Sequence, residues 1–248
     1  MAGRPTAELR FYEELNDFLP EERRKRPVAV EVDRARSVKD AIESLGVPHT
    51  EVDLVLVDGR SVDFGHTLRG GERVAVYPMF EALDISPLVR LRPRALREPR
   101  FVADTHLGKL ARHLRMAGFD TLYGNDWEDE RIVAVSRAER RTILTRDRAM
   151  LRRREVERGY CVRAVESEAQ LGEVVGRLQL EGLIAPFTRC RECNTLLEEV
   201  PREAVTDRVP EKVRGLYTRF KRCPTCARMY WEGSHYDRMK GVIARLRT

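Results

Sequence analysis

Two Cys-x-x-Cys pairs constrain this chain more tightly than any other feature. Cys190-Arg-Glu-Cys193 and Cys223-Pro-Thr-Cys226 each form a turn that can point two thiolates at one ion, and two such turns close a tetrahedral four-cysteine site with no open position. The spacing predicts a structural zinc ribbon over residues 183–248, with Cys190, Cys193, Cys223 and Cys226 as ligands. A redox pair or iron is the alternative use of the same turns. Paired thiols of this kind fit a reducing compartment, where they hold metal rather than disulfides. The fifth cysteine, in Tyr160-Cys161-Val162, reads as a buried strand residue.

A chain of 248 residues with 42% hydrophobic side chains can bury two or three cores of ordinary size. No apolar run reaches the ~18 residues that a spanning helix needs, and the N-terminal stretch lacks the apolar centre of a signal peptide. These features predict a soluble, cytoplasmic protein with no membrane partner. The formal net charge of +6 hides a division: residues 1–82 carry 12 basic and 16 acidic side chains, whereas residues 183–248 carry 14 basic and 8 acidic. Basic surfaces attract phosphate backbones by releasing counterions, so the back half is the candidate for touching nucleic acid. A solvated Arg-rich surface is the competing reading.

Residues 1–82 alternate as strands at 8–13 and 28–33, with a helix over 38–45 that opens at Ser37 and ends at Gly46 and Pro48. Strands at 53–57 and 73–77 follow, punctuated by Asp58-Gly59 and Gly70-Gly71. This ββαββ order resembles the ubiquitin-like β-grasp of small sulphur carriers. Such carriers need a free terminal Gly-Gly, whereas Gly70-Gly71 lies before a predicted strand, which argues against sulphur transfer. Residues 83–98, with Pro87, Pro93, Arg90, Arg92, Arg94 and Arg97, read as a linker, either solvated or laid along a phosphate backbone.

From residue 99 to 182 short strands alternate with helices, the pattern of a parallel sheet with crossover helices. Strands are expected at 101–104, 121–123, 142–145 and 160–165. The intervening helices are expected over 106–116, 129–137, from Arg148, and over 168–180. In the first helix Leu107, Leu110, Ala111 and Leu114 face inward, and Lys109, Arg112 and His113 outward. Asp104 and Asp147 each stand where a strand ends and a helix begins, the edge at which ligands bind in open parallel sheets. Asp126 and Asp129 enter the same edge. Clustered carboxylates are a natural seat for Mg²⁺ or Mn²⁺, while simple helix capping is the other use of Asp at such positions.

Several motifs stand in a recognisable order. They are Asp104-Thr-His-Leu-Gly-Lys-Leu-Ala-Arg-His-Leu-Arg115, Gly118-Phe-Asp120, Leu144-Thr-Arg-Asp147 and the cysteine block ending Tyr230-Trp-Glu-Gly-Ser-His-Tyr236. Together they resemble the Mut-seven C-terminal RNase family, a PIN-like nuclease fold fused to a zinc ribbon and often preceded by a β-grasp domain in bacterial relatives. The resemblance implies an α/β, three-layer PIN-like domain with a parallel sheet. It also implies a metal-dependent endoribonuclease using Asp104, Asp129 and Asp147 with Mg²⁺ or Mn²⁺. For a fourth acid there is no clear match, and Glu166 and Glu168 are the candidates. Lys109, Arg112 and Arg115 fall on the family's basic first helix and Arg146 beside the acids, where they either hold substrate phosphates or pair with neighbouring acids. The implied partner is RNA, with tRNA, rRNA or a ribosome as possible forms, and the β-grasp domain could dock a protein. A non-catalytic protein that binds structured RNA or ribosomes is the alternative function. Ala227 stands where the family tends to have Gly. Around the cysteines, Phe220, Tyr230, Trp231 and Tyr236 can serve as ribbon core or as stacking faces for bases, most of the rings being expected in the core and Tyr236 with His235 at the surface.

Overall fold

The computed structural model describes residues 4–32, 35–78, 99–205 and 208–245. The expected linker, with Arg90, Arg92, Arg94 and Arg97, lies outside the described residues. The chain forms two compact units, Met1–Arg97 with Ser136–Cys161, and Glu98–Val135 with Val162–Thr248. Among the described residues no helix is long and apolar enough to cross a membrane.

The first unit is built on strands β1 (Thr6–Phe11), β2 (Val28–Glu31), β4 (Val52–Val57), β5 (Arg60–Val62) and β7 (Arg73–Pro78) in the order β2-β1-β7-β4-β5. Only β1 and β7 pair in parallel; β1 with β2, and β4 with both β5 and β7, run antiparallel. Alternation along β1 sends Ala7, Leu9 and Phe11 inward, and Ile42 of helix α1 (Val38–Ser44) is likewise fully buried. As expected, Ser37 caps α1 by accepting from the Asp40 amide at 3.1 Å. A two-stranded ribbon of β3 (Arg36–Ser37) and β6 (Thr67–Leu68) completes the β-grasp. Gly70 and Gly71 serve the fold: both have positive φ, and a side chain at Gly70 would collide with the Pro5 ring.

The same unit contains β10 (Thr142–Thr145), the short helix α4 (Arg148–Leu151) and β11 (Gly159–Cys161), with β10 and β11 parallel. Side chains of the β-grasp reach this element directly. The buried Glu51 carboxylate accepts the Cys161 amide at 2.7 Å, and His49 bridges Glu43 at 2.6 Å and the Val156 carbonyl at 2.9 Å. Cys161 is buried, as its strand setting predicts.

In the second unit, β8 (Arg100–Ala103) and β9 (Asp120–Tyr123) pair in parallel across helix α2 (Gly108–Met116). Leu107, Leu110, Ala111 and Leu114 are fully buried, the face expected from their spacing. Helix α3 (Asp129–Glu139) carries the division between the units. Helix α5 (Ser167–Arg177) packs against α2. The strand expected over 160–165 ends at Cys161 for a physical reason. The Glu173 carboxylate takes the amides of Arg163 and Ala164 at 2.9 and 2.7 Å, removing them from any ladder, and Val165 is exposed. Beyond α5 a three-stranded antiparallel sheet of β12 (Glu198–Val200), β13 (Phe220–Arg222) and β14 (Met229–Trp231) forms the ribbon, with helices α6 (Glu211–Leu216) and α7 (Ser234–Arg245). The architecture is thus a β-grasp followed by a parallel α/β region and a four-cysteine ribbon.

Candidate functional site

The two cysteine turns are near-copies of each other. Cys190 donates its amide to Thr195 and accepts from the Asn194 amide at 2.8 and 2.9 Å; Cys223 does the same with Arg228 and Ala227, both at 2.9 Å. Each turn closes through a residue in the left-handed region, Asn194 at φ 68° and Ala227 at φ 56°. Asn tolerates that conformation, while Ala has no side chain that compensates for it. The four sulfurs lie within 4.8 Å of one another, close to the ~3.8 Å that a tetrahedron with Zn–S bonds of ~2.3 Å requires. Among the described residues, the four cysteines are the group of acids, histidines or cysteines gathered closely enough to hold an ion.

The thiols are electrostatically unequal. Burial alone would raise the Cys193 thiol, but hydrogen bonds from Thr195, Cys223 and Cys190 hold it at about 6. Burial together with Cys223, Cys190 and Cys193 pushes Cys226 up to about 12. The Tyr230 hydroxyl lies 3.0 Å from the Cys190 sulfur, and burial followed by that sulfur raises its pKa. One easily ionised thiol surrounded by its partners is a donor set suited to a soft divalent metal, whose positive charge would ionise the remaining thiols.

Arg115 ties this ribbon to the α/β region. Its side chain is buried, its Nε donates to the Thr121 carbonyl at 2.8 Å, and its Nη1 donates to the carbonyls of Glu192 and Arg191 at 2.6 and 3.2 Å. Burial lowers its pKa, opposed by Cys190, Cys193 and Glu192. With its Nε and Nη1 committed to three backbone carbonyls, Arg115 makes structural contacts, one of the two uses expected for it. Asn194 works beside it, its Oδ1 accepting the Thr121 amide at 3.0 Å and its Nδ2 donating to Asp120 at 2.7 Å. The sequence reading missed Asn194 altogether. The available signal was its place directly after a knuckle cysteine, where a positive φ favours Asn or Gly.

The acids fall at element starts, as expected. Asp104 is buried at the C-terminal end of β8 and makes no helix-capping bond with its side chain; it accepts from the Thr105 hydroxyl at 3.0 Å. Asp129 begins α3 and is half-buried. Asp147 is exposed and caps α4, accepting the Ala149 amide at 2.7 Å, so the capping reading holds for Asp147. Asp104 and Asp129 belong to the second compact unit and Asp147 to the first. Of the candidate fourth acids, Glu166 is exposed and Glu168 pairs with Arg238 and Arg245 at 3.5 and 3.4 Å. Lys109 and Arg146 are exposed and have no ion pair among the described residues, whereas Arg112 pairs with Glu192 at 3.6 Å.

Residues 99–243 match the family model described as the Mut7-C RNAse domain. The chain belongs to that family. Residues 4–84 match a second model, Mut7-C ubiquitin, so the front of this Mut7-C chain is ubiquitin-like. A solved structure, the small archaeal modifier protein 1 of H. volcanii, shares 23% identity with a TM-score of 0.25, covering 31% of this chain and 98% of its own. No curated protein matches the sequence at a significant level. Membership gives the chain an RNase domain that spans both the acids and the cysteines.

Proposed function

We propose that this Mut7-C protein is a metal-dependent endoribonuclease in which Asp104, Asp129 and Asp147 hold Mg²⁺ or Mn²⁺, and zinc fills the four-cysteine site. The proposed boundaries are a β-grasp over 1–82, a linker over 83–98, the nuclease domain over 99–182 and the ribbon over 183–248. The observation that carries the reading is the buried Asp104 carboxylate, which sits at the end of a parallel strand inside an RNase domain without capping its helix. Three carboxylates are hard oxygen donors, a set that suits Mg²⁺ or Mn²⁺. A divalent ion there supplies nucleophile activation and charge neutralisation at phosphorus. Asp147 can keep one oxygen on its helix cap and present the other. Lys109 and Arg146, exposed and without ion pairs among the described residues, are suited to neutralise and orient RNA phosphates. Arg112 can join them by exchanging Glu192 for phosphate. The β-grasp is proposed to dock a protein partner, and the RNA is proposed to be single-stranded or structured, including tRNA, rRNA or ribosomal forms.

A second reading, RNA or ribosome binding without cleavage, is favoured by one observation: among the described residues the aspartates do not gather into a metal-holding group as the cysteines do. Asp147→Asn separates the two readings, because Asn keeps an oxygen for the Ala149 amide while losing the charge. Cleavage of end-labelled RNA with Mg²⁺ or Mn²⁺ should collapse in the variant while RNA affinity stays equal or rises. The same low cleavage in wild type and variant under every metal, no higher than with chelator, and RNA bound by both, would leave the binding protein as the function.

A further inference from the structure

The second compact unit contains a cavity of ≈ 640 Å³ beside the knuckles, walled by Met116, Tyr230, Trp231, Arg191, Arg208 and Arg228. Its size is that of a small-ligand pocket. Arg189 on the same wall pairs with Asp120 at 3.7 Å, which leaves three guanidinium groups, Arg191, Arg208 and Arg228, against one carboxylate, Glu192. Glu192 is shared by Arg191 at 3.1 Å and Arg228 at 3.2 Å, and Arg208 has no ion pair among the described residues. Positive charge is therefore in excess where the wall is otherwise aromatic.

The aromatic part of the wall is held firmly. Trp231 packs one side against the ribbon core of Val205, Val209 and Phe220 yet remains only half-buried. Gly233 brings backbone so close to the indole that a Cβ would lie 2.7 Å from its Nε1. Tyr230, on the cavity wall, has its hydroxyl tied to the Cys190 sulfur at 3.0 Å and its ring set at right angles to Phe187, with 6.1 Å between centroids. A second groove of ≈ 280 Å³ shares Met116 and Arg191 with the first and adds Lys109 and Arg112, together with Arg238, which pairs with Glu168 of the same groove at 3.5 Å. Cavity and groove thus adjoin at Met116 and Arg191, with aromatic rings and cations on the cavity side and Lys109 and Arg112 on the groove side.

We infer that the cavity accepts one base of a single-stranded RNA, stacked on the Trp231 and Tyr230 faces, while the adjoining phosphates run past Arg191 to Lys109 and Arg112. This inference rests on the reading of the protein as one that acts on RNA and specifies how the strand is held. An apolar peptide would use the aromatic wall but leave the guanidinium excess uncompensated. A polyanion without bases would use the cations but not the rings. A nucleotide strand satisfies both, through stacking and charge-assisted phosphate contacts.

The test uses full-length Trp127→Phe protein, in which Trp231 is the remaining tryptophan, with no added Mg²⁺ or Mn²⁺ so that binding is read without cleavage. A short single-stranded oligoribonucleotide and an abasic ribose-phosphate strand of equal length are titrated in parallel. The base-bearing strand should quench Trp231 and bind about 5- to 100-fold more tightly than the abasic one. Ser234→Phe, from an exposed position on the cavity wall, should fill the cavity. It should reduce that ratio to about twofold or less while leaving abasic affinity unchanged. If this variant loses its metal, the comparison of the two strands in Trp127→Phe still decides. Equal binding of both strands, or a base preference that persists in metal-loaded Ser234→Phe, overturns the inference whatever the cleavage assays show. A base preference in a protein that never cuts RNA would uphold it and discard the nuclease.

Discussion

Four cysteines and three aspartates are both sets of metal-ligand side chains, but the chain assembles them in opposite ways. Each pair of cysteines sits three residues apart on a turn that closes through its own backbone bonds, so spacing alone brings the sulfurs within reach. The aspartates come from the starts of separate elements and from different compact units, so nothing local holds them together. The difference teaches that the thiolate site belongs to the folding of the ribbon, whereas the carboxylates can be altered with the fold intact. Substitutions at four positions sharpen or break that contrast.

The largest effect should follow Cys193→Ser. Metal binding is coupled to folding where no preformed site exists in the unfolded chain, so this variant should lose zinc and unfold residues 183–248 while the β-grasp persists. Elemental analysis combined with hydrogen exchange measures both, and a metal-free wild type with a protected ribbon would contradict it. Arg115→Ala comes next, at a cost of about 2–4 kcal/mol, because one buried and two part-buried carbonyls lose a charged donor. Arg115→Lys should restore little, since one ammonium cannot reproduce the planar fork; chemical denaturation of the zinc-loaded protein measures both variants.

Smaller effects are expected where only a cap or a turn is touched. Asp147→Ala should cost about 1 kcal/mol by removing the acceptor for the Ala149 amide, and Asp147→Asn less. A loss as large as that of Arg115→Ala would mean that the carboxylate is part of the scaffold after all. Ala227→Gly should stabilise the ribbon by about 0.5–1 kcal/mol, since Ala227 is held at φ 56°. A small rise in Tm is the expected reading, and a fall would show that the second turn depends on the methyl group.

How much of this was legible in the sequence follows the same division between local and distant order. The knuckles, the Ser37 cap, the inward face of α2 and most of the strand order rest on neighbours a few residues apart, and periodicity or spacing exposes them. For Arg115 the sequence left phosphate contact and structural pairing both open, because its carbonyl partners at Arg191 and Glu192 are distant in sequence. Glu173 ended a strand that composition favoured, again from a distance. The cavity at Trp231 was only half visible: aromatic and basic residues stood together in the sequence, but their joint wall with Met116 depends on tertiary packing.

Mn²⁺ binding to zinc-loaded protein, followed by electron paramagnetic resonance in wild type and Asp104→Asn, tests the contrast between the two centres most directly. The account predicts that wild type binds Mn²⁺ without displacing zinc, and that Asp104→Asn loses the Mn²⁺ signal while keeping its zinc and its fold. Wild type that binds no Mn²⁺, or a variant that binds it as tightly, would contradict the assignment of a carboxylate metal centre to this protein.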